Sequence, residues 1–241
     1  MKSRLLTKES SLNTKESTEA RLKRMLAFDE NLRQELASNA VLIGCDEVGR
    51  GSLIGNVVAS AVCWKSSDSP KHAEALQSLI GINDSKKLTA KQREALLPSI
   101  LNCCYVGIGQ ATPEEIAEHN IIGASMRAVQ RAIDELFSHL KEEEMLHCHY
   151  LMDGRDRIPT IEWNQQSPIV KGDAQSALIA MASIVAKEHR DGWVRSVADD
   201  FSDYGWASNM GYATAKHREA VRRLGLTPHH RPSYRVVGFD R

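Results

Sequence analysis

Apolar and polar positions along this 241-residue chain follow two rhythms, one of strands and one of helices. Residues 41–45 and 56–64 are nearly unbroken runs of β-branched and small apolar side chains, which predicts two strands buried in a sheet. Residues 104–110 predict a third strand, 149–152 a fourth and 169–171 a fifth. Few residues separate the first two, so antiparallel pairing is expected between them. Helical spacing begins at 18–36, where Leu22, Met25, Leu26 and Leu32 can share one side. Thr112-Pro113-Glu114-Glu115 reads as a helix start: a capping threonine, proline at the first helical position, then acids at the positive end of the dipole. Further helices are predicted over 124–141, over the Ala-, Ile- and Ser-rich stretch 174–197, and over 213–224, which stops at Gly225. Antiparallel strands followed by strand–helix alternation predict an α/β fold: a mixed five-stranded sheet flanked by helices, with a helical C-terminal region. Residues 1–38 form a charged leader, helical or flexible, expected to pack loosely or extend away from the domain of residues 39–241.

Composition narrows this picture only in places. The chain is 42% hydrophobic and 26% charged, the balance of an ordinary soluble globular protein. It has no apolar run long enough to span a bilayer, so no membrane role is expected, and its polar N-terminus lacks the core of a secretory signal. Five cysteines, with no C-x-x-C pair, argue against a disulfide framework or structural zinc and for a reducing, cytoplasmic setting. Formal net charge is zero. Even so, the stretch from Lys216 onward carries Arg218, Arg222, Arg223, Arg231, Arg235 and Arg241 against only Glu219 and Asp240, a basic face that either meets phosphates or is simply solvated.

The chemistry lies at the strand ends. The first strand runs into Asp46 and Glu47, the fourth into Asp153, and the fifth is followed by Asp173. Taken singly, each has a plain explanation: Asp173 as a helix cap, Asp153-Gly154 as a turn. Adjacent acids on a strand are harder to dismiss, because Asp46 and Glu47 point to opposite faces and one must turn inward. If the first, fourth and fifth strands are parallel neighbours, four carboxylates converge at one edge of the sheet. Their repulsion would raise some pKa values, and a divalent cation would remove the conflict. Oxygen-only donors suit Mg²⁺ or Mn²⁺ rather than zinc.

Several separated motifs lie around these acids: D-E-V-G-R-G at 46–51, N-D-S-K-K-L at 83–88, V-K-G-D at 170–173, A-S-I-V-A-K at 182–187, G-Y-x-T-x-x-H at 211–217 and H-R-x-S-Y at 230–234. In this order, over about 42–237, they resemble the ribonuclease HII family, the type 2 ribonucleases H. The resemblance implies an RNase H-like catalytic domain at 39–241, including C-terminal substrate-binding helices. It implies endonucleolytic cleavage of RNA in RNA/DNA hybrids and incision 5′ of single ribonucleotides in duplex DNA. Two ions of Mg²⁺ or Mn²⁺ would be held by Asp46, Glu47, Asp153 and Asp173, and the products would carry 3′-hydroxyl and 5′-phosphate ends. By the same resemblance Gly49, Arg50 and Gly51 form the turn that meets the substrate backbone, where a 2′-hydroxyl marks RNA. Tyr212 would sense the next sugar, and the enzyme would work as a monomer on RNA/DNA hybrid and ribonucleotide-containing duplex DNA. Lys86, Lys87, Lys171 and Lys187 are candidate phosphate contacts, of which Lys86 and Lys171 are retained as substrate-binding residues. Ser52 departs from the proline usual after G-R-G, so a looser turn is expected.

Other features read as structural. His147-x-His149 has no third ligand, Cys103-Cys104 read as packed thiols, His217 as fixing its helix, and Asp191 as a helix-surface ion pair. A catalytically silent nucleic-acid binder on the same scaffold is the alternative, although a binder has no need of four acids. A phosphatase or phosphotransferase lacks support from any G-x-x-x-x-G-K-[ST] loop and leaves Tyr212 unexplained.

Overall fold

The computed structural model describes residues 16–36, 39–65 and 76–234. The first fifteen residues of the leader, and Arg235 and Arg241 of the basic stretch, lie outside them. Five strands form one mixed sheet: β1 (Val41–Val48), β2 (Val57–Trp64), β3 (Cys104–Ala111), β4 (Cys148–Asp153) and β5 (Gln166–Ile169), in the order β3-β2-β1-β4-β5. As expected, β1 and β2 pair antiparallel, while β1–β4 and β4–β5 are parallel. Burial on both faces suits the nearly continuous apolar character of β2.

Helices cover both faces of the sheet. On one side α3 (Pro113–Phe137) packs on β2 and β3. Close approach is possible there because Gly107 and Gly109 on β3 lack side chains; a Cβ at Gly109 would lie 1.9 Å from the Ala128 carbonyl oxygen. Asn120, with φ 56°, breaks α3, and its Oδ1 accepts from Ile122 and Gly123 N–H. The two helical signals at 112–115 and 124–141 therefore meet as one element with a re-capped kink, ending at Phe137 rather than 141. After the short helix α4 (Glu142–Met145), α5 (Ala177–Ala198) crosses β1 and β2 on the other face of the sheet, with residues 177–186 wholly buried. A helix that the sequence pattern did not indicate, α2 (Ala90–Cys103), is capped by a Thr89–Gln92 box and packs on α5. The fifth strand lies three residues earlier than predicted. Lys171 takes a left-handed conformation, φ 56°, that ends extended structure and opens the 3₁₀ turn Gly172–Ala174.

The leader's helix α1 (Thr18–Leu36) forms as its pattern predicts but does not pack loosely. Leu22 and Met25 are buried in the core beside α5. Arg24 donates to the Ala174 carbonyl (3.2 Å), and Asp29 Oδ2 accepts from Leu178 N–H (3.1 Å), capping α5 from outside its own helix. The apolar stripe was visible in the sequence; the surface that α5 offers it, distant in the chain, was not. Burial raises the Asp29 pKa from 3.8 to about 7. Because the folded value is the higher one, the fold favours the protonated form, and Asp29 costs stability as pH rises from about 4 to 7. Asp29→Asn is therefore expected to gain on the natural protein over that window, by on the order of 4 kcal/mol, and to hold a constant advantage above it. Urea unfolding midpoints between pH 4 and 8 would show this, and a pH-independent difference would refute it.

Candidate active site

Parallel register brings the acids together. Cys45 pairs with Met152 across β1 and β4, so Asp46 and Asp153 are the next residues along neighbouring strands. Asp153 in turn pairs with Ile169, after which the chain turns back through Gly172 and Asp173. The Gly172 N–H donates to Asp153 Oδ1 at 2.7 Å, which locks that turn against β4. β1 does not stop at Cys45 as its apolar run suggests. Its pairing with β2 carries it through Asp46 and Glu47 to Val48.

Asp46 is buried, and burial first, then Glu47 and Asp153, hold its pKa well above the ordinary carboxylate range. Glu47 is raised to about 7, mainly by burial, with Arg50 opposing and Asp153 adding to the rise. Asp173 is raised to about 6, by burial and then by Asp153 and Asp84. Lys86 Nζ stands 3.9 Å from Asp173 Oδ2; burial works against its charge, but Asp46, Asp173, Asp84 and Asp153 outweigh it and raise its pKa. Part of each acid's capacity is already in use. Asp46 Oδ1 accepts from Glu47 N–H (2.8 Å), and Arg50 Nε lies 3.0 Å from Glu47 Oε1. Among the described residues no three acid, histidine or cysteine side chains are gathered into a closed ligand shell. The donors do fit a hard cation: they are all oxygens, and three of the four are held toward the protonated form by burial and like charge.

A cleft of about 480 Å³ opens beside Asp46 and Glu47, lined also by Lys86, Lys187 and Tyr212, while Asp153 and Asp173 lie outside its lining. Lys171 is exposed, two residues before Asp173. Three further residues of the cleft, Ser85, Arg93 and Ser183, escaped the sequence reading, and Asp191 was misread. Ser183 hydrogen-bonds Asp46 and, at 2.7 Å, the hydroxyl of Ser85. Arg93, on α2, donates to Glu188 Oε1 (2.6 Å) and Asp191 Oδ2 (3.4 Å). Asp191 is thus no surface ion pair: it is buried and also accepts from Lys187 Nζ at 2.8 Å. The spacing of Ser183, Lys187 and Asp191, at four-residue steps on one helix, was the available signal.

The Gly-Arg-Gly turn follows β1 directly. Gly49 has φ 94°, and a Cβ there would lie 2.7 Å from Arg190 Nε, so both its conformation and its space require glycine. Arg50 spans Glu47, Ser125 (3.0 Å) and Asp156 (3.0 Å), while its carbonyl accepts from Arg231 Nη1 (3.2 Å) and from the Tyr234 hydroxyl. Gly51 is exposed. Ser52 does not loosen the turn. It is fully buried, its N–H donates to the Gly49 carbonyl (3.1 Å), and its hydroxyl accepts from Arg190 Nη2 (2.7 Å) and Ile54 N–H (3.2 Å).

Tyr212 is pinned from behind by two buried histidines. Trp206 Nε1–H donates to His217 Nε2 (3.0 Å), so His217 must carry its proton on Nδ1, which donates to the Tyr212 carbonyl (3.0 Å). Thr227 N–H donates to His230 Nδ1 (2.9 Å), leaving His230 Nε2–H to donate to His217 Nε2 (3.2 Å). His217 thus fixes this region, as its motif position suggested. Only neutral rings satisfy the whole chain, and burial lowers both pKa values, that of His230 to about 4. The folded value lies below the ordinary 6.5, so the stability held at neutral pH is lost as pH falls from about 6.5 toward 4, by on the order of 2–3 kcal/mol for His230. His230→Gln should lower the unfolding midpoint at pH 7 and flatten its acid slope relative to the natural protein; an unchanged slope would refute this reading. His149, buried, bonds Ser167 Oγ at 2.9 Å, and all five cysteines are buried free thiols.

A family profile described as Ribonuclease HII matches residues 43–237. A ribonuclease HII of Sphingopyxis alaskensis is 42% identical over 198 residues, 82% of this chain and 90% of that protein. One from Staphylococcus carnosus is 36% identical over 234 residues, 97% of this chain and 82% of that protein. Among solved structures, the RNase HII in a PCNA complex from Archaeoglobus fulgidus superposes with a TM-score of 0.60 at 25% identity, covering 81% of this chain and 95% of that one. A Bst-RNase HIII in complex with Mn²⁺ shares the fold with a TM-score of 0.56 at 18% identity, covering 78% and 63% of the two chains.

Proposed function

The chain belongs to the ribonuclease HII family and is a metal-dependent endoribonuclease, and we propose that it cleaves the RNA strand of RNA/DNA hybrids and nicks 5′ of single ribonucleotides in duplex DNA. The observation that carries this is the convergence of Asp46, Glu47, Asp153 and Asp173, from three separate segments, at one edge of the sheet beside a cleft. These four would hold two divalent ions, Mg²⁺ or Mn²⁺. Bound there, such ions supply an activated water and charge stabilisation for the leaving 3′-oxygen, giving 3′-hydroxyl and 5′-phosphate ends. The protein's own share is to orient: Ser183 and the Glu47 amide aim Asp46, and the Gly172 amide aims Asp153.

The Gly49-Arg50-Gly51 turn reads the 2′-hydroxyl. Both lone pairs of the Arg50 carbonyl are in use, which supports recognition through amide N–H groups rather than that oxygen. Tyr212 stacks on the following sugar, and the exposed Lys86 and Lys171 meet phosphates. The enzyme acts as a monomer, and its five free thiols support a reducing cytoplasm. The test is incubation with Mg²⁺ or Mn²⁺ and a DNA duplex carrying one ribonucleotide, with both product ends mapped. A nick on the 5′ side of the ribonucleotide is expected; no incision across a range of metal concentrations would overturn the reading.

A further inference from the structure

Arg190 on α5 is buried to 1% exposure, yet its Nε and Nη1 have no hydrogen-bond partner, an expensive arrangement for a guanidinium. Its Nη1 lies 3.6 Å from Asp191 Oδ1 on the same helix, an ion pair, whereas its hydrogen bonds go to two different loops. Its Nη2 donates to Ser52 Oγ (2.7 Å), just after the Gly-Arg-Gly turn, and to the Met210 carbonyl (2.9 Å), just before Tyr212. Its guanidinium carbon sits 5.0 Å from the centre of the Tyr212 ring, and its Nε blocks the space beside Gly49. Ser52 closes the same junction from the other side. It forms an antiparallel bridge with Tyr212, and its hydroxyl reaches the Gly211 carbonyl at 3.1 Å. Gly211 has φ 75°, and a Cβ there would lie 3.0 Å from Ser52 Oγ, so the fit tolerates no side chain. With two acceptor sites filled and its one proton shared between the Ile54 and Gly211 carbonyls, the Ser52 hydroxyl is saturated.

We infer that Ser52 and Arg190 form a buried clamp that holds Tyr212 at a fixed distance from the Gly-Arg-Gly turn, which makes both of them positioning residues for recognition of the RNA–DNA junction. This rests on the roles given above to the turn and to Tyr212. An embedded ribonucleotide presents one 2′-hydroxyl followed by one deoxyribose, so the two readers must stand one nucleotide apart. A long hybrid offers many registers and is less demanding. Ser52→Ala leaves the Arg190 Nη2–H without its hydroxyl acceptor and removes the side-chain tie between the two loops, while their backbone bridge remains.

The test compares kcat/KM on a duplex with one ribonucleotide against kcat/KM on a long RNA/DNA hybrid, in the natural protein, Ser52→Ala, Tyr212→Ala and the double variant. The ratio is expected to fall about tenfold in Ser52→Ala. In the Tyr212→Ala background the same change is expected to leave the ratio where it was, because there is no ring left to position. A merely structural role would lower both activities together and would repeat its effect in the second background; either result overturns the clamp. If Ser52→Ala proves unfolded by circular dichroism, the same cycle with Arg190→Lys decides, since lysine keeps the charge but cannot span Ser52 and Met210. Should the natural protein fail to incise either substrate, it is the proposed function that falls, and the clamp with it.

Discussion

Asp46→Asn is expected to reduce cleavage by at least about a thousandfold while leaving duplex binding within a few-fold of the natural protein. A loss of that size corresponds to ~4 kcal/mol, within reach of one carboxylate that both binds a cation and fixes its charge. Asparagine preserves shape and one oxygen, so it can still accept from the Glu47 amide, but it brings no negative charge. Binding should persist because the nucleic-acid contacts assigned above lie elsewhere, on the turn, Tyr212 and the lysines. The same substitution should make the metal-free protein more stable. Asp46 is buried among like charges that hold its pKa high, and removing its charge removes that cost. For a chain of this size each kcal/mol gained raises the thermal midpoint by about 2–4 °C. A variant that kept its turnover, or that lost binding in step with turnover, would refute the metal role of Asp46.

Tyr212→Ala is expected to lower activity on a single embedded ribonucleotide about tenfold or more relative to a long hybrid, since stacking on an aromatic face contributes about 1–3 kcal/mol. Tyr212→Phe keeps the ring and should recover most of the ratio. The ring has the support such a role requires: Lys187 Nζ lies 5.4 Å from its centre and Arg190 Cζ 5.0 Å, so cations back one side of it. Equal losses on the two substrates would show that Tyr212 does not sense the junction.

Much of this was legible in the sequence because the relevant signals are local. Strand period, the Thr112 cap with Pro113, and acids following apolar runs each need only a few adjacent residues. What was not legible depended on partners distant in sequence. Nothing in β1 itself says that pairing with β2 carries the strand past Asp46 and Glu47. Pro98 in the middle of α2 argues against a helix, and it took packing on α5 to outweigh that. Ser52 looked like a weakness because it was judged only as a missing proline. Its strength comes from Arg190, 138 residues away. In α1 the sequence showed Leu22 and Met25 on one side of the helix, but not that α5 would be there to bury them.

The sheet order has a kinetic consequence. Asp46 and Asp153 become neighbours only when β1 finds β4, a closure across about a hundred residues, and Asp173 joins only after β5 has aligned beyond β4. Such long closures cost more chain entropy than the β1–β2 pairing, whose strands are joined by a short turn. A growing or partly folded chain therefore displays Asp46 and Glu47 without their distant partners. The four acids proposed to hold the metal ions are therefore complete as a set only once β4 and β5 have joined β1.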